Sequence, residues 1–390
     1  MGYYMAGQAW NRTILSLPDP HLLQTAQWAE LKANFGWQPY YLVWTRNGGK
    51  IELIISQTGD LYISNPAASA LILERKLLPG ISVLYVPKGP LLQDWSDPAL
   101  VSKVLEDLMD FGRERGAIQV KIDPDVLIGR GLPGQADASQ DLIGKNIQIE
   151  MEQSGWIFSR EQIQFRNTFW IDLLDEEEKL LEQMKSKTRY NIRLSGRKGI
   201  QTRFGNQSDL AELYKMYADT SVRGGFTIRG EDYYRTLWDL FLDPELNHQI
   251  DPIAQPIIAE YEGQPVAGAI FFRFGRRTWY LHGMSLPDHS DKMPTYLVQW
   301  EGIRWARSNG CAVYDMWGAP DQFDESDPLW GVFRFKNGFG GEVIRTLGAW
   351  DYPNRPILYY IYTRLLPVFL GRMRRIGDRQ TAEIASQRGS

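Results

Sequence analysis

The chain has 390 residues, enough for two domains with sizeable cores. Its 43 Lys+Arg against 47 Asp+Glu give a net charge of −4, which excludes an evenly basic nucleic-acid binder; a polyanion must meet a local patch. The single cysteine, Cys311, excludes an intramolecular disulfide and a CxxC knuckle, and four scattered histidines (His21, His248, His282, His289) lack zinc-site spacing, so no metal is expected.

The N-terminal "MGYYMAGQAWNRT" lacks the charged start and apolar core of a signal peptide, and no uncharged apolar run is long enough to span a bilayer, so the cytoplasm is the expected location. Residues 20–34 have helical spacing at Leu23, Gln27/Trp28 and Leu31. Residues 36–57 predict a hairpin turning at "NGG". A strand over 80–90, a helix over 97–116 opened by Asp-Pro and closed by Gly116, and the strand "AIQVKIDPD" follow. Near residue 155, "GW" starts a strand leading into the second half, and "DEEEKLLEQMKSKTRYNIRLSGRKG" (175–199) reads as one long helix.

The second half repeats the first. Residues 256–285 hold a hairpin turning at "EGQ" and a strand carrying Trp279 and Tyr280; a glycine-ended helix over 294–310 and the strand 311–318 follow. "GRERGAIQVKIDP" and "ARSNGCAVYDMWG" share a basic helix end, a glycine, a short apolar strand and an Asp. A duplicated strand–strand–strand–helix–strand unit is therefore expected, an α/β fold with mixed sheets.

From Lys185 to Arg203 seven cations occur without an acid: Lys185, Lys187, Arg189, Arg193, Arg197, Lys198 and Arg203. Helix-dipole complementation accounts for two or three of them. The remainder exceed what a helix cap needs and fit a phosphate-backbone contact. The C-terminal stretch 355–375, aromatic, aliphatic and then basic, reads as a packed terminal helix; the alternative is a segment leaning on an anionic membrane surface.

No GxSxG elbow, P-loop or dinucleotide fingerprint is present. A duplicated mixed unit suits the acetyltransferase-type fold. Its pyrophosphate loop would fall at "SLPDHSDKMPTYL", which has no glycine, so coenzyme A is disfavoured and no cofactor is expected. In "GVFRFKNGFGGE" (331–342), Lys336 sits between Phe335 and a glycine-rich turn, a placement suited to stabilising a developing oxyanion or to a lysine snorkelling from a strand edge.

Six stretches in order, "QTAQWAELKANFGW", "MKSKTRYNIRLSGRKGI", "GGFTIRGEDYY", "WYLHGMS", "YDMWG" and "FRFKNGFGG", resemble the Fem-type (FemA/FemB/FemX) peptidoglycan bridge-forming aminoacyltransferases over residues 24–350. The resemblance implies two tandem acetyltransferase-like domains, 1–165 with 348–390 returning to it, and 166–347. No room exists after "RKGI" for the coiled-coil arm of FemA-like members, which favours the compact FemX-like branch. It implies transfer of an amino acid from aminoacyl-tRNA to an amine of a UDP-linked or lipid-linked peptidoglycan precursor. A monomer is expected, with peripheral contact at the inner membrane surface only on the alternative reading of the C-terminal stretch. Phe335 and Lys336 match the family's catalytic pair; Lys32, Arg229, Tyr233 and Tyr280 match positions that hold the precursor. Asp315, at a strand end, is the one carboxylate to test as a base; the alternative is that it caps a loop. Lys187, Arg189, Arg193, Arg197 and Lys198 form the expected tRNA-facing patch. An acyl-CoA-dependent N-acyltransferase of the same fold, or a non-catalytic RNA- or membrane-binding module, are the alternatives.

Overall fold

The computed structural model describes residues 2–136 and 138–364, with side chains from residue 7. Helices α1 (Gly2–Leu15) and α2 (Ala26–Asn34) precede the first sheet. Thr25 caps α2 by accepting from Trp28 N–H. Strands β1 (Gln38–Asn47) and β2 (Lys50–Ser56) form the expected hairpin. Gly48 and Gly49 both have positive φ, 55° and 85°, the two left-handed positions of a type I′ turn. Then come β3 (Ala68–Leu78), β4 (Ile81–Val86), the short β5 (Leu91–Leu92), α3 (Pro98–Glu114) and β6 (Ala117–Ile122). Asp97 caps α3 with Pro98 in its first turn, and Leu100, Val101, Val104, Leu105 and Leu108 bury one face of it. The half closes with β7 (Leu127–Arg130), β8 (Ser139–Gln140), α4 (Leu142–Gln153) and β9 (Ile157–Phe158).

The second half runs β10 (Asn167–Asp172), α5 (Glu177–Gln183), α6 (Ser186–Arg197), β11 (Ile200–Phe204), α7 (Leu210–Gly224) and α8 (Glu231–Leu242). It continues with β12 (Ile253–Tyr261), β13 (Gln264–Phe274), β14 (Arg277–Ser285), α9 (Pro294–Ser308), β15 (Val313–Ala319), α10 (Trp330–Lys336), β16 (Glu342–Thr346) and β17 (Trp350–Tyr352). Residues 356–364 are helical; the rest of the 355–375 stretch lies outside the described residues.

The duplication is real. In the first sheet β1, β3 and β4 are antiparallel neighbours, α3 crosses over, and β6 pairs parallel to β4. In the second, β12, β13 and β14 are antiparallel neighbours, α9 crosses over, and β15 pairs parallel to β14. The sheet orders are β2-β1-β3-β4-β6-β17-β9 and β11-β12-β13-β14-β15-β10-β16-β7-β8. The halves exchange strands: β17 returns to the first sheet, while β7 and β8, before residue 165, pair into the second. One core spans both units, packing α1 and α2 against α7, α8 and β14 through residues such as Trp10, Trp28, Tyr233 and Trp238. Each large side chain fully buried there contributes roughly 1.5–3 kcal/mol.

The single helix expected over 175–199 is corrected to two, α5 and α6, broken at Met184 and Lys185. Tertiary structure overrides the local pattern. Lys185 N–H donates to Gly338 carbonyl at 2.9 Å, and the Arg189 guanidinium donates to the carbonyls of Glu182 and Met184 at the end of α5. The glycine turn after α10 docks into this break. A Cβ at Gly338 would lie 2.4 Å from Thr188 Oγ1, and at Gly340 2.7 Å from Gln183 carbonyl. The glycines of 337–341 therefore serve close backbone packing.

Candidate active site

Strands β14 and β15 pair only over Arg277–Trp279 and Val313–Asp315, then part. Beyond that point β14 stays with β13 and β15 with β10, each ladder carrying a bulge at the divergence. Trp317, at the opening, has φ 60°, a strained left-handed value for a tryptophan.

Lys336, from the end of α10, reaches into this fork. It is buried, and its Nζ donates to the carbonyls of Trp317 (3.1 Å) and Gly318 (2.6 Å). Lys336 lies on a helix and not a strand edge, which removes the snorkelling alternative. Burial pulls its pKa down to about 7, against the upward pull of Asp315. Phe335 beside it packs its ring on Tyr296 (5.0 Å) and Phe339 (5.2 Å), which fastens α10 to α9.

Asp315 is buried and meets three donors: the Thr168 hydroxyl, the Trp170 indole N–H (3.0 Å) and the Trp317 backbone N–H (2.8 Å). Burial raises its pKa, with Arg277 opposing. Tyr280 stands in the fork on β14, half-buried against Phe271. Its phenol fits because residue 283 is glycine; a Cβ there would lie 1.8 Å from the hydroxyl. Burial pushes that phenol up to about 12, so it remains a donor. His282 turns instead into the inter-unit core, where it accepts from Trp238 Nε1 and burial lowers its pKa to about 3.

A second cluster joins the units. Lys32 on α2 donates to Tyr233 Oη of α8 at 3.0 Å, and the Arg229 guanidinium lies 4.7 Å from the same ring. Lys32 Nζ is also 4.9 Å from the Trp28 ring, whose indole N–H is buried without a hydrogen-bond partner. Burial, with Arg229 and Arg75 nearby, lowers Lys32 to about 7. Two basic side chains, a phenol and an unpartnered indole N–H converge here, a donor set of the kind that suits an anion.

The basic stretch divides. Arg189 is spent on the α5 carbonyls, Lys198 pairs with Asp291 at 2.9 Å, and Arg203 pairs with Asp209 and Glu260. Lys187, Arg193 and Arg197 are exposed, with Arg197 5.6 Å from the exposed Tyr190 ring. Sequence reasoning missed the charges that pin β14 to the first unit. Arg277 binds Asp125 at 2.7 Å and stacks 4.2 Å from the Trp170 ring. Lys88 lies 3.5 Å from Asp125 and 3.8 Å from Asp123. Only the paired acids of "KIDPD" hinted at this cluster.

The FemAB family model matches residues 16–248 and 243–366. The chain belongs to the FemAB family. Among curated relatives, the lipid II:glycine glycyltransferase of Staphylococcus haemolyticus is 23% identical, over 93% of this chain and 95% of that protein. The enzyme of the same name from Staphylococcus saprophyticus is 24% identical, over 92% and 94%. The crystal structure of FemX superposes with a TM-score of 0.74 at 19% identity, covering 91% of this chain and 98% of that one. This FemAB chain is thus a Fem-type aminoacyltransferase enzyme, with the tandem acetyltransferase-like fold expected of it.

Proposed function

We propose that the enzyme moves an amino acid from aminoacyl-tRNA to the side-chain amine of a lipid-linked peptidoglycan precursor, acting as a monomer at the cytoplasmic face of the membrane. The observation that carries this reading is Lys336: a buried amine in an open strand fork, held by two carbonyls. The lipid-linked acceptor is supported by the relatives, which are named for lipid II.

The ester of an aminoacyl-tRNA is already activated, so no covalent enzyme intermediate is needed. Neutral Lys336 gives both N–H groups to Trp317 and Gly318, which leaves its lone pair directed away from them. The acceptor amine attacks the ester carbonyl and its proton passes to that lone pair. The ammonium so formed has one unshared N–H, which faces the oxyanion and is then given to the departing ribose oxygen as the ester C–O bond breaks. A pKa of about 7 suits both halves of this transfer. Asp315 acts as a positioning residue, because its contacts hold the Trp317 turn whose carbonyl grips Lys336. Lys32, Arg229 and Tyr233 bind the acceptor's pyrophosphate, and Tyr280 donates to its sugar or peptide. Exposed Lys187, Arg193 and Arg197 meet the tRNA backbone. The chemistry belongs to the unit 166–347, and the unit 1–165 with 348–390 supplies Lys32.

The test is mass spectrometry of lipid-linked and UDP-linked precursors after incubation with charged tRNA mixtures. A gain of one amino-acid residue on the lipid-linked precursor is expected. No gain on either, with every aminoacyl-tRNA present, overturns the assignment.

A further inference from the structure

The first unit carries an exposed apolar surface that the reaction does not use. The β3–β4 hairpin ends in "RKLLPG" (75–80), where Leu77 and Leu78 are exposed, Leu78 by 63%. Beside it the terminal helix presents Ile357, Tyr360 and Ile361 outward, Ile357 by 77%. The opposite side of that helix, Leu358, Tyr359 and Tyr362, packs on Val83, Ile118 and Ile81. The two elements abut: a Cβ on Gly116 would lie 2.8 Å from Arg355 Nη2 and 3.2 Å from Gly80 carbonyl. Exposed cations interleave with the apolar residues, Arg75 and Lys76 on the hairpin, Arg355 just before the helix and Arg364 on it. Neither 75–80 nor 355–364 contains an acid.

This surface adjoins the anion site. Arg75 lies 5.6 Å from the Trp37 ring, and Trp37 packs both on the inter-unit core and on the terminal-helix cluster. The charge of Arg75 acts on Lys32 on one side and on Tyr362 of the helix on the other. A pyrophosphate held at Lys32 thus lies one arginine away from an apolar, cationic rim.

We propose that the hairpin tip and the outer face of the terminal helix dock on an anionic lipid bilayer, so that a lipid-linked pyrophosphate rises from the membrane past Arg75 into the Lys32–Arg229 site. The apolar side chains enter the headgroup boundary and the cations meet the anionic headgroups. The orientation rests on the lipid-linked acceptor proposed above; the docking surface itself does not.

The experiment uses the full chain and a triple variant, Leu78→Glu/Ile357→Glu/Ile361→Glu, whose residues touch no site group. Co-sedimentation is measured with vesicles of phosphatidylglycerol and phosphatidylcholine in equal parts, and with phosphatidylcholine alone. Binding only to the anionic vesicles is expected, weakening with salt, and falling by about tenfold or more in the variant. The variant's transfer to vesicle-embedded lipid-linked precursor should fall alike, while its transfer to the soluble UDP-linked form or a detergent-solubilised acceptor stays unchanged. Wild-type binding by the variant overturns the proposal and points to another surface or to the residues after 364. Equal binding to both vesicle types overturns the charge argument. A wild-type dimer that the variant dissociates shows that a second copy covers the face, and also overturns it. Surface-dependent vesicle binding without transfer to any acceptor upholds the docking surface and sinks the functional reading instead.

Discussion

The two units carry the same strand–helix–strand crossover, but only one is open. In the first, β4 and β6 pair from Ser82–Ala117 through to Val86–Ile122. In the second, β14 and β15 separate after Trp279–Asp315. The first unit buries two lysines, Lys88 and Lys121, and the second buries Lys336, and their partners differ. Lys121 of β6 pairs with Asp351 at 2.7 Å, both almost fully buried. Lys88, close by, is opposed by burial, but Asp123 and Asp125 outweigh it and raise its pKa. Lys336 in the open fork has carbonyl oxygens and no carboxylate contact, so burial prevails and its pKa falls. Buried lysines are thus ion-paired in the unit whose strands stay zipped, and the one in the fork where the strands part is not.

The largest expected effect breaks the zipped unit. Lys121→Met leaves Asp351 buried with the Tyr359 hydroxyl and no cation. Removing one partner of a buried pair costs about 3–5 kcal/mol, read as a lower urea midpoint. Turnover per folded molecule should be unchanged; a selective loss of turnover would mean that the first unit takes part in the chemistry. Lys336→Met should do the reverse. Loss of a pre-aimed donor lowers kcat by about 10²–10³ at saturating acceptor, with a smaller shift in the urea midpoint than Lys121→Met gives. Retention of kcat would remove Lys336 from the reaction.

The pH dependence sharpens the contrast. In the proposed mechanism Lys336 must be neutral to accept the amine proton, so kcat/KM should rise with pH up to about 7. In the same proposal Lys32 must be charged to hold the acceptor's phosphate, so kcat/KM should fall above about 7. A bell centred near neutrality is expected, and Lys32→Arg should carry its alkaline limb to higher pH while leaving the acid limb in place. An unmoved alkaline limb would assign that limb elsewhere. Linkage gives a check without substrate. The unfolded Lys336 binds its proton at about 10.5 and the folded one at about 7, so between those values the unfolded state holds more protons. Its contribution to stability therefore rises with pH across that window, and Lys336→Met should remove that slope.

Much of this was legible in the sequence because it is local. The repeated helix end, glycine, apolar strand and Asp gave both crossovers, and two-residue turns at 48–49 and 262–263 set the hairpins. What escaped depends on distant residues. The break between α5 and α6 is made by the carbonyl of Gly338, which no local pattern reveals. Arg277 and Asp125 meet across 152 residues of sequence. Strands β7 and β8, four and two residues long, are too short to announce which sheet they join. The glycine-rich turn after Lys336 was visible in the sequence, but not what it packs on, which is α5, α6 and β10.

The smallest effect separates two arginines one turn apart on α6, which the sequence could not tell apart. Arg193 is exposed, and Arg193→Glu should weaken tRNA binding and lower the slope of log affinity against log salt by about 1. Arg189 caps α5, so Arg189→Glu should cost about 1–3 kcal/mol of stability by stranding the carbonyls at Glu182 and Met184, with a smaller change in salt slope. Filter binding across a salt series, beside urea unfolding of the same variants, measures both quantities. If neither reversal alters the affinity or its slope, tRNA does not lie along α6. If Arg189→Glu alone does, the capping geometry opens when tRNA arrives, and the α5–α6 break belongs to the binding surface as well as to the seat of the glycine turn beneath Lys336.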